Sequence, residues 1–204
     1  MAISPRPNQP PSFRLIWLAC SLVFATAAFS LPAFAHHPWE GQQESFNWIQ
    51  GLLSGIAHPI LGADHLLFLL SIGLAGFASA RLWLPLLLGS GFLGCLLGLM
   101  LPAMPGAELV MGLSLVASGL VAIGQLNPGL MLPLIGLHGY VLAATMVGAE
   151  PTPVMAYLLG LVISEGLVIT AGMFLLRRCW QQKRLLAGAL MGIGLTMTYG
   201  TLVG

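Results

Sequence analysis

Hydrophobic residues fill six long stretches of the chain, at about 62–79, 83–101, 107–125, 130–148, 153–176 and 185–203, separated by proline, glycine or charge. Each approaches the ~20 residues that an α-helix needs to cross the ~30 Å hydrocarbon core of a bilayer. The links between them, "ARLW", "LPAMPG", "LNPG" and "AEPTP", are short, which predicts that neighbouring spans pack as antiparallel hairpins. A seventh segment, "FNWIQGLLSGIAH" at 46–58, is shorter and glycine-rich and runs straight into Pro59. The pattern therefore predicts an all-α, polytopic membrane helix bundle. It has about six transmembrane helices, preceded by a re-entrant or interfacial half-helix at 46–58.

Composition sharpens this picture. Of the 204 residues, 57% are hydrophobic and only 6% charged, with a mean hydropathy of +0.93. A soluble domain carries about 25% charged residues, so this chain cannot cover a water-facing surface. Its solvent is membrane lipid, no polar run is long enough to hold a soluble domain, and no nucleic-acid partner is expected. The 26 glycines suit helices that pack closely in lipid.

The N-terminus reads as a secretory signal: a basic region with Arg6 and Arg14, an apolar core "LIWLACSLVFATAAF", and an A-x-A site at Ala33 and Ala35. This divides the chain into a cleavable signal peptide, 1–35, and a single transmembrane domain, 36–204, with His36 as the new N-terminus. The alternative is an uncleaved first helix. Trp17 excludes Cys20 as a lipoprotein site, and Cys95 and Cys179 are placed for neither a disulfide nor a thiolate metal site.

Charge sets the orientation. With six spans, Arg81 and the cluster Arg177, Arg178, Lys183 and Arg184 share one side, and Glu40, Glu44, Glu108 and Glu150 fall at or near the other. The positive-inside rule makes the basic side cytoplasmic. The expectation is a multi-pass membrane protein with its mature N-terminus outside the cytoplasm. Counting 46–58 as a full crossing inverts this distribution.

Chemistry enters with the ionisable residues inside the spans. An acid at the centre of a membrane helix costs at least ~2.5–3.5 kcal/mol, so each one calls for a reason. In "HPILGADH", His58, Asp64 and His65 lie around Pro59 and Gly62. A path bent at those two residues brings all three together, and imidazole nitrogen with carboxylate oxygen suits borderline divalent ions such as Ni²⁺, Co²⁺ or Zn²⁺. The plainer reading is a hydrogen bond between Asp64 and His65 or a neighbouring helix. His138, between Gly136 and Gly139, and Glu165, beside Ser164, are the other two mid-span candidates. They would serve as a salt bridge, a proton relay or part of an ion path. Glu108 opens the third span, where it complements the helix dipole or draws cations to an outer mouth. His36 and His37, with the free α-amine, would form a metal-capturing end or a plain terminus. Ser114 and Ser118, four residues apart, read as packing or back-bonding residues. The ten methionines show no repeated M-x-x-M spacing, against a relay for soft Cu⁺. No strong internal repeat is visible, but both halves open with a His-bearing, glycine-interrupted segment, "GADH" and "GLHG", which hints at an inverted repeat.

The run H-P-x-x-G-x-D-H at 58–65 resembles the signature of the HupE/UreJ family. The resemblance extends over "PGAELVMGLS", "GLHG" and "RLLAGALMGIGL". That family comprises small bacterial membrane proteins often encoded with nickel hydrogenases or ureases and regarded as nickel or cobalt permeases. The resemblance thus implies a secondary permease or facilitator of the bacterial inner membrane that moves Ni²⁺ or Co²⁺ and rests on His58, Asp64 and His65, with no tightly bound cofactor, while the ionisable residues themselves extend the path past His138 and Glu165. It also implies a link to metalloenzyme maturation, and a homo-oligomer is a further expectation. Where the family usually carries further His and Glu residues close after "HG", "YVLAATMVGAE" has no second His and its Glu150 lies at the membrane edge, and Glu165 stands where the family leads one to expect a His. There is no G-x-x-x-x-G-K-[ST] loop, so this chain does not itself hydrolyse ATP for transport. The rival readings are an intramembrane zinc hydrolase, with Glu165 as base and metal-bound water as nucleophile, and a non-transporting accessory protein that delivers metal.

Overall fold

A computed structural model describes residues 47–77, 79–178 and 180–203. The expected signal peptide, 1–35, and His36, His37, Glu40 and Glu44 lie outside the described residues. Among the described residues, seven α-helices follow in order: α1 (Trp48–Leu61), α2 (Ala63–Ser71), α3 (Ala80–Met100), α4 (Ala107–Ala122), α5 (Met131–Ala144), α6 (Pro151–Arg178) and α7 (Lys183–Val203). The chain is a helical membrane bundle, as the pattern predicts. Three helices are long and apolar enough to cross a membrane alone, α3, α6 up to Leu175, and α7. The bent pair α1–α2 makes a fourth if taken as one span, and Ala107–Ala122 and Pro128–Ala144 are shorter apolar helices.

The first predicted span differs from the sequence boundaries. Its helix starts at Ala63 and ends, after a 3₁₀ turn, at Leu74. At ~1.5 Å per α-helical and ~2.0 Å per 3₁₀ residue, that rises about 20 Å, short of the ~30 Å core. Helix α1 precedes it, and only together are the two long and apolar enough to cross a membrane, as a broken span or a re-entrant element. Helix α1 is a half-length helix, as predicted, and meets the α2 segment at an angle of 73°. Asn47 and Gln50 close its N-terminus with a reciprocal capping box.

Pro59 does not end α1; the break comes at Gly62, whose backbone is extended. Proline has no N–H to return to the carbonyl four residues earlier, Gly55. In lipid a freed carbonyl needs another donor, and the hydroxyl of Ser164 on α6 lies 3.3 Å from it, shared with the Leu161 carbonyl of its own helix at 3.2 Å. The broken element is thereby tied to the longest helix at the point where its own ladder fails.

The predicted hairpins give way to other pairings. The extensive contacts are α1 and the α2 segment with α6, α3 with α5, and α4 with α7. Small residues explain the choice, because they let backbones touch. A Cβ added at Gly55 would lie 2.1 Å from the Tyr157 carbonyl, at Gly73 2.2 Å from that of Gly172, and at Gly94 1.9 Å from that of Gly136. The order of these contacts makes α1–α2 parallel to α6 and α3 parallel to α5. Gly112 faces Thr198 and Gly119 faces Ala187, so α4 and α7 are antiparallel.

This pairing has two-fold character. Exchanging the first three apolar segments (α1–α2, α3, α4) with the last three (α5, α6, α7) converts the first pairing into the second and leaves the third unchanged. Gly112 and Gly194 sit reciprocally, each closest to the other's carbonyl among backbone atoms, at 2.9 and 2.5 Å from an added Cβ. Secondary packing breaks the symmetry: α2 also lies against α4, without a comparable contact between α5 and α7.

Candidate metal site

The break at Gly62 places His58 at the end of α1 and His65 at the start of α2, with ring centroids 5.7 Å apart. His138 of α5 joins them, its centroid 5.0 Å from that of His65. All three are buried, at 5%, 3% and 1% exposure. A chain of hydrogen-bonding contacts links them to their surroundings. His58 Nδ1 lies 2.8 Å from the Tyr157 hydroxyl, which donates to the Leu142 carbonyl at 2.8 Å. Since that phenolic proton goes to Leu142, His58 Nδ1–H is the donor to Tyr157. His65 Nδ1 meets His138 Nδ1 at 2.8 Å, and His138 Nε2 meets Ser114 Oγ of α4 at 2.7 Å.

Apolar neighbours hold these rings in place. Phe68, one turn beyond His65, stacks on His138 at 3.9 Å with 10° between the planes. Phe68 belongs to the larger apolar core, which includes Leu87, Leu115, Ile135 and Ile169. Tyr157 belongs to a second cluster with Cys95, Leu142 and Leu161. The three imidazoles therefore span the seam between the two apolar clusters.

Asp64 sits beside this group with its side chain 15% exposed, and its Oδ2 is 3.9 Å from His65 Nε2. Gly62 is needed for this arrangement: a Cβ there would lie 2.9 Å from His65 Cδ2 and 3.2 Å from Asp64 Oδ1. The bent path brings Asp64, His65 and His58 together, and His138 with them. Yet among the described residues no group of three or more His, Cys, Asp or Glu side chains is gathered tightly enough to enclose a metal ion.

Glu165 takes another place. It is 1% exposed and its Oε1 has no hydrogen-bond partner. Its other oxygen faces α3, 3.1 Å from where a Cβ at Gly91 would stand. Glu165 and His138 do not pair, since both ring nitrogens of His138 are taken by His65 and Ser114. Glu108 is exposed in the first turn of α4, as its cap or mouth position requires.

Two members of the group were not singled out as site residues. Ser114 does back-bond, to Met111 at 2.7 Å, and Ser118 to Ser114 at 2.8 Å, but Ser114 also touches His138. Tyr157, in the second turn of α6, carried no signal beyond being a tyrosine in an apolar span, where a buried hydroxyl requires a polar partner.

Fold and site together define a multi-pass helical membrane protein with buried imidazoles at a broken helix. The family model described as HupE / UreJ protein matches residues 24–202, and the chain belongs to that family. No curated protein and no solved structure matches it.

Proposed function

We propose that this protein is a secondary permease for a divalent transition-metal cation, nickel or cobalt. The observation that carries the reading is the buried imidazole group at the α1–α2 break with Asp64 at its edge. His65 Nε2 and Asp64 Oδ2, 3.9 Å apart, stand a few tenths of an ångström wider than the ~3.3–3.5 Å between two donors on one tetrahedral ion of the zinc type. An ion entering between them draws the pair slightly together, and His58 approaches from the other side of the break. An incompletely enclosed ion keeps some of its waters, which suits a site that must release what it binds. Glu108 attracts cations at the outer mouth, with His36 and His37 as capture residues ahead of it. His138 borders the path through its contact with His65, and the path continues past Glu165.

The ends of the helices support the direction. Because α1–α2 runs parallel to α6, Arg81 just beyond the first and Lys183 and Arg184 just beyond the second share one end of the bundle, opposite Glu108 and Glu150. Placing the basic end in the cytoplasm follows the positive-inside rule and leaves the mature N-terminus outside, the orientation proposed here for a protein of the bacterial inner membrane. An inside-negative potential then drives a divalent ion inward by about 4.6 kcal/mol per 100 mV, twice the ~2.3 kcal/mol per charge. A zinc hydrolase needs three protein ligands, an open position and a base, a gathering that the described residues do not make.

Uptake of labelled nickel and cobalt by cells lacking their own uptake systems tests the proposal. The account expects accumulation of at least one ion above the empty vector. No accumulation from well-expressed protein rejects it in favour of metal delivery without transport.

A further inference from the structure

Three short contacts on consecutive polar atoms determine where the protons lie. Ser114 Oγ is 2.7 Å from the Met111 carbonyl and 2.7 Å from His138 Nε2, and His138 Nδ1 is 2.8 Å from His65 Nδ1. With one proton on each ring, only one arrangement makes all three contacts hydrogen bonds. A carbonyl can only accept, so the Ser114 hydroxyl proton goes to Met111. Ser114 Oγ must then accept from His138 Nε2–H. That leaves His138 Nδ1 as an acceptor, and His65 Nδ1–H donates to it. His65 Nε2 consequently keeps its lone pair, and this is the atom that stands 3.9 Å from Asp64 Oδ2.

We infer that Ser114 and His138 are positioning residues that lock His65 in its Nδ1–H tautomer and present Nε2, together with Asp64, to a divalent cation. Metal-binding histidines characteristically donate their second ring N–H to a fixed acceptor, which sets the tautomer and strengthens the ligand. Here the acceptor is a second imidazole, held by Ser114 at one edge and by the Phe68 ring across its face. His138 acts through His65 in this arrangement. The identity of the ion rests on the permease reading; the tautomer does not.

A serine against a histidine nitrogen also describes a nucleophile with its base. That chemistry sends the hydroxyl proton to the ring, whereas here it goes to Met111, and Ser114 is 1% exposed. The geometry favours positioning.

The test uses the full-length chain in detergent, labelled with ¹⁵N-histidine, first without metal and then titrated with Ni²⁺ and Co²⁺. The wild type should show His65 protonated on Nδ1 and His138 on Nε2. Ser114→Ala should move proton density from Nδ1 to Nε2 of His65 and weaken metal binding about 10–100-fold. Ser114→Thr, which keeps the hydroxyl, should restore both. Wild-type His65 protonated on Nε2 would overturn the inference, even if the Ala variant fails to fold. So would a folded Ala variant with unchanged tautomers and affinity, or covalent capture of Ser114 by a fluorophosphonate. A wild type that binds neither ion rejects the permease reading, and the nitrogen spectra still decide the tautomer.

Discussion

The hydroxyl of Tyr157 stands between a ring nitrogen of His58 and the carbonyl of Leu142, completely buried. Replacing it with Phe keeps the ring and deletes both hydrogen bonds. Leaving buried polar groups short of a partner costs about 1–3 kcal/mol, so Tyr157→Phe should lower the thermal unfolding midpoint in detergent and weaken metal uptake through His58. An unchanged midpoint would mean that the hydroxyl does not hold the ring. At this scale the metal-type donors were legible and their supports were not. His58, Asp64 and His65 stand out because ionisable residues are costly in lipid. Ser114 and Tyr157 do not, since neither is unusual in a membrane helix and their partners are 24 and 99 residues away.

Helix breaks were legible as elements, though one residue class was misjudged as the breaker. Pro59 remains inside α1 because the Ser164 hydroxyl reaches the carbonyl that proline frees, a compensation that lies outside the local sequence. Gly62 makes the bend. Gly62→Ala should push the new methyl group against His65 Cδ2, 2.9 Å away, and reduce metal binding while the helical circular dichroism stays unchanged; retained affinity would show that the ring has room to move. The partner of each helix was less legible, since short links suggest hairpins but small-residue faces decide the contacts. Gly94→Ala tests that logic. Its methyl would stand 1.9 Å from the Gly136 carbonyl, so α3 and α5 must separate, and a loss of more than about 2 kcal/mol is expected, the range of severe backbone and packing clashes. Gly89, with open space around an added Cβ, serves as the control that should tolerate alanine.

Among the described residues, Arg81, Lys183 and Arg184 gather at one end of the bundle and Glu108 and Glu150 at the other, and the main helix pairings map onto themselves when the two halves are exchanged. His65 and His138 meet through like atoms, Nδ1 to Nδ1, one from each half, which accords with the matching "GADH" and "GLHG" segments and with binding sites at the interface of inverted repeats. The charge segregation and the paired motifs were legible; the pairing of halves required coordinates because no long sequence repeat marks it. Gly112 and Gly194 report on the central α4–α7 contact. Each alanine should destabilise the fold, and the double variant should cost less than the sum, since the first separation makes room for the second. Additive melting shifts would place the two glycines in independent contacts. The central claim, that a divalent metal passes through the buried His–Asp site, is tested most directly in proteoliposomes holding an inside-negative potential. Nickel and cobalt entry would be followed for wild type and Asp64→Asn at equal protein content. The account predicts potential-dependent entry of at least one ion into wild-type vesicles and its collapse in the variant; equal entry through both proteins would contradict it.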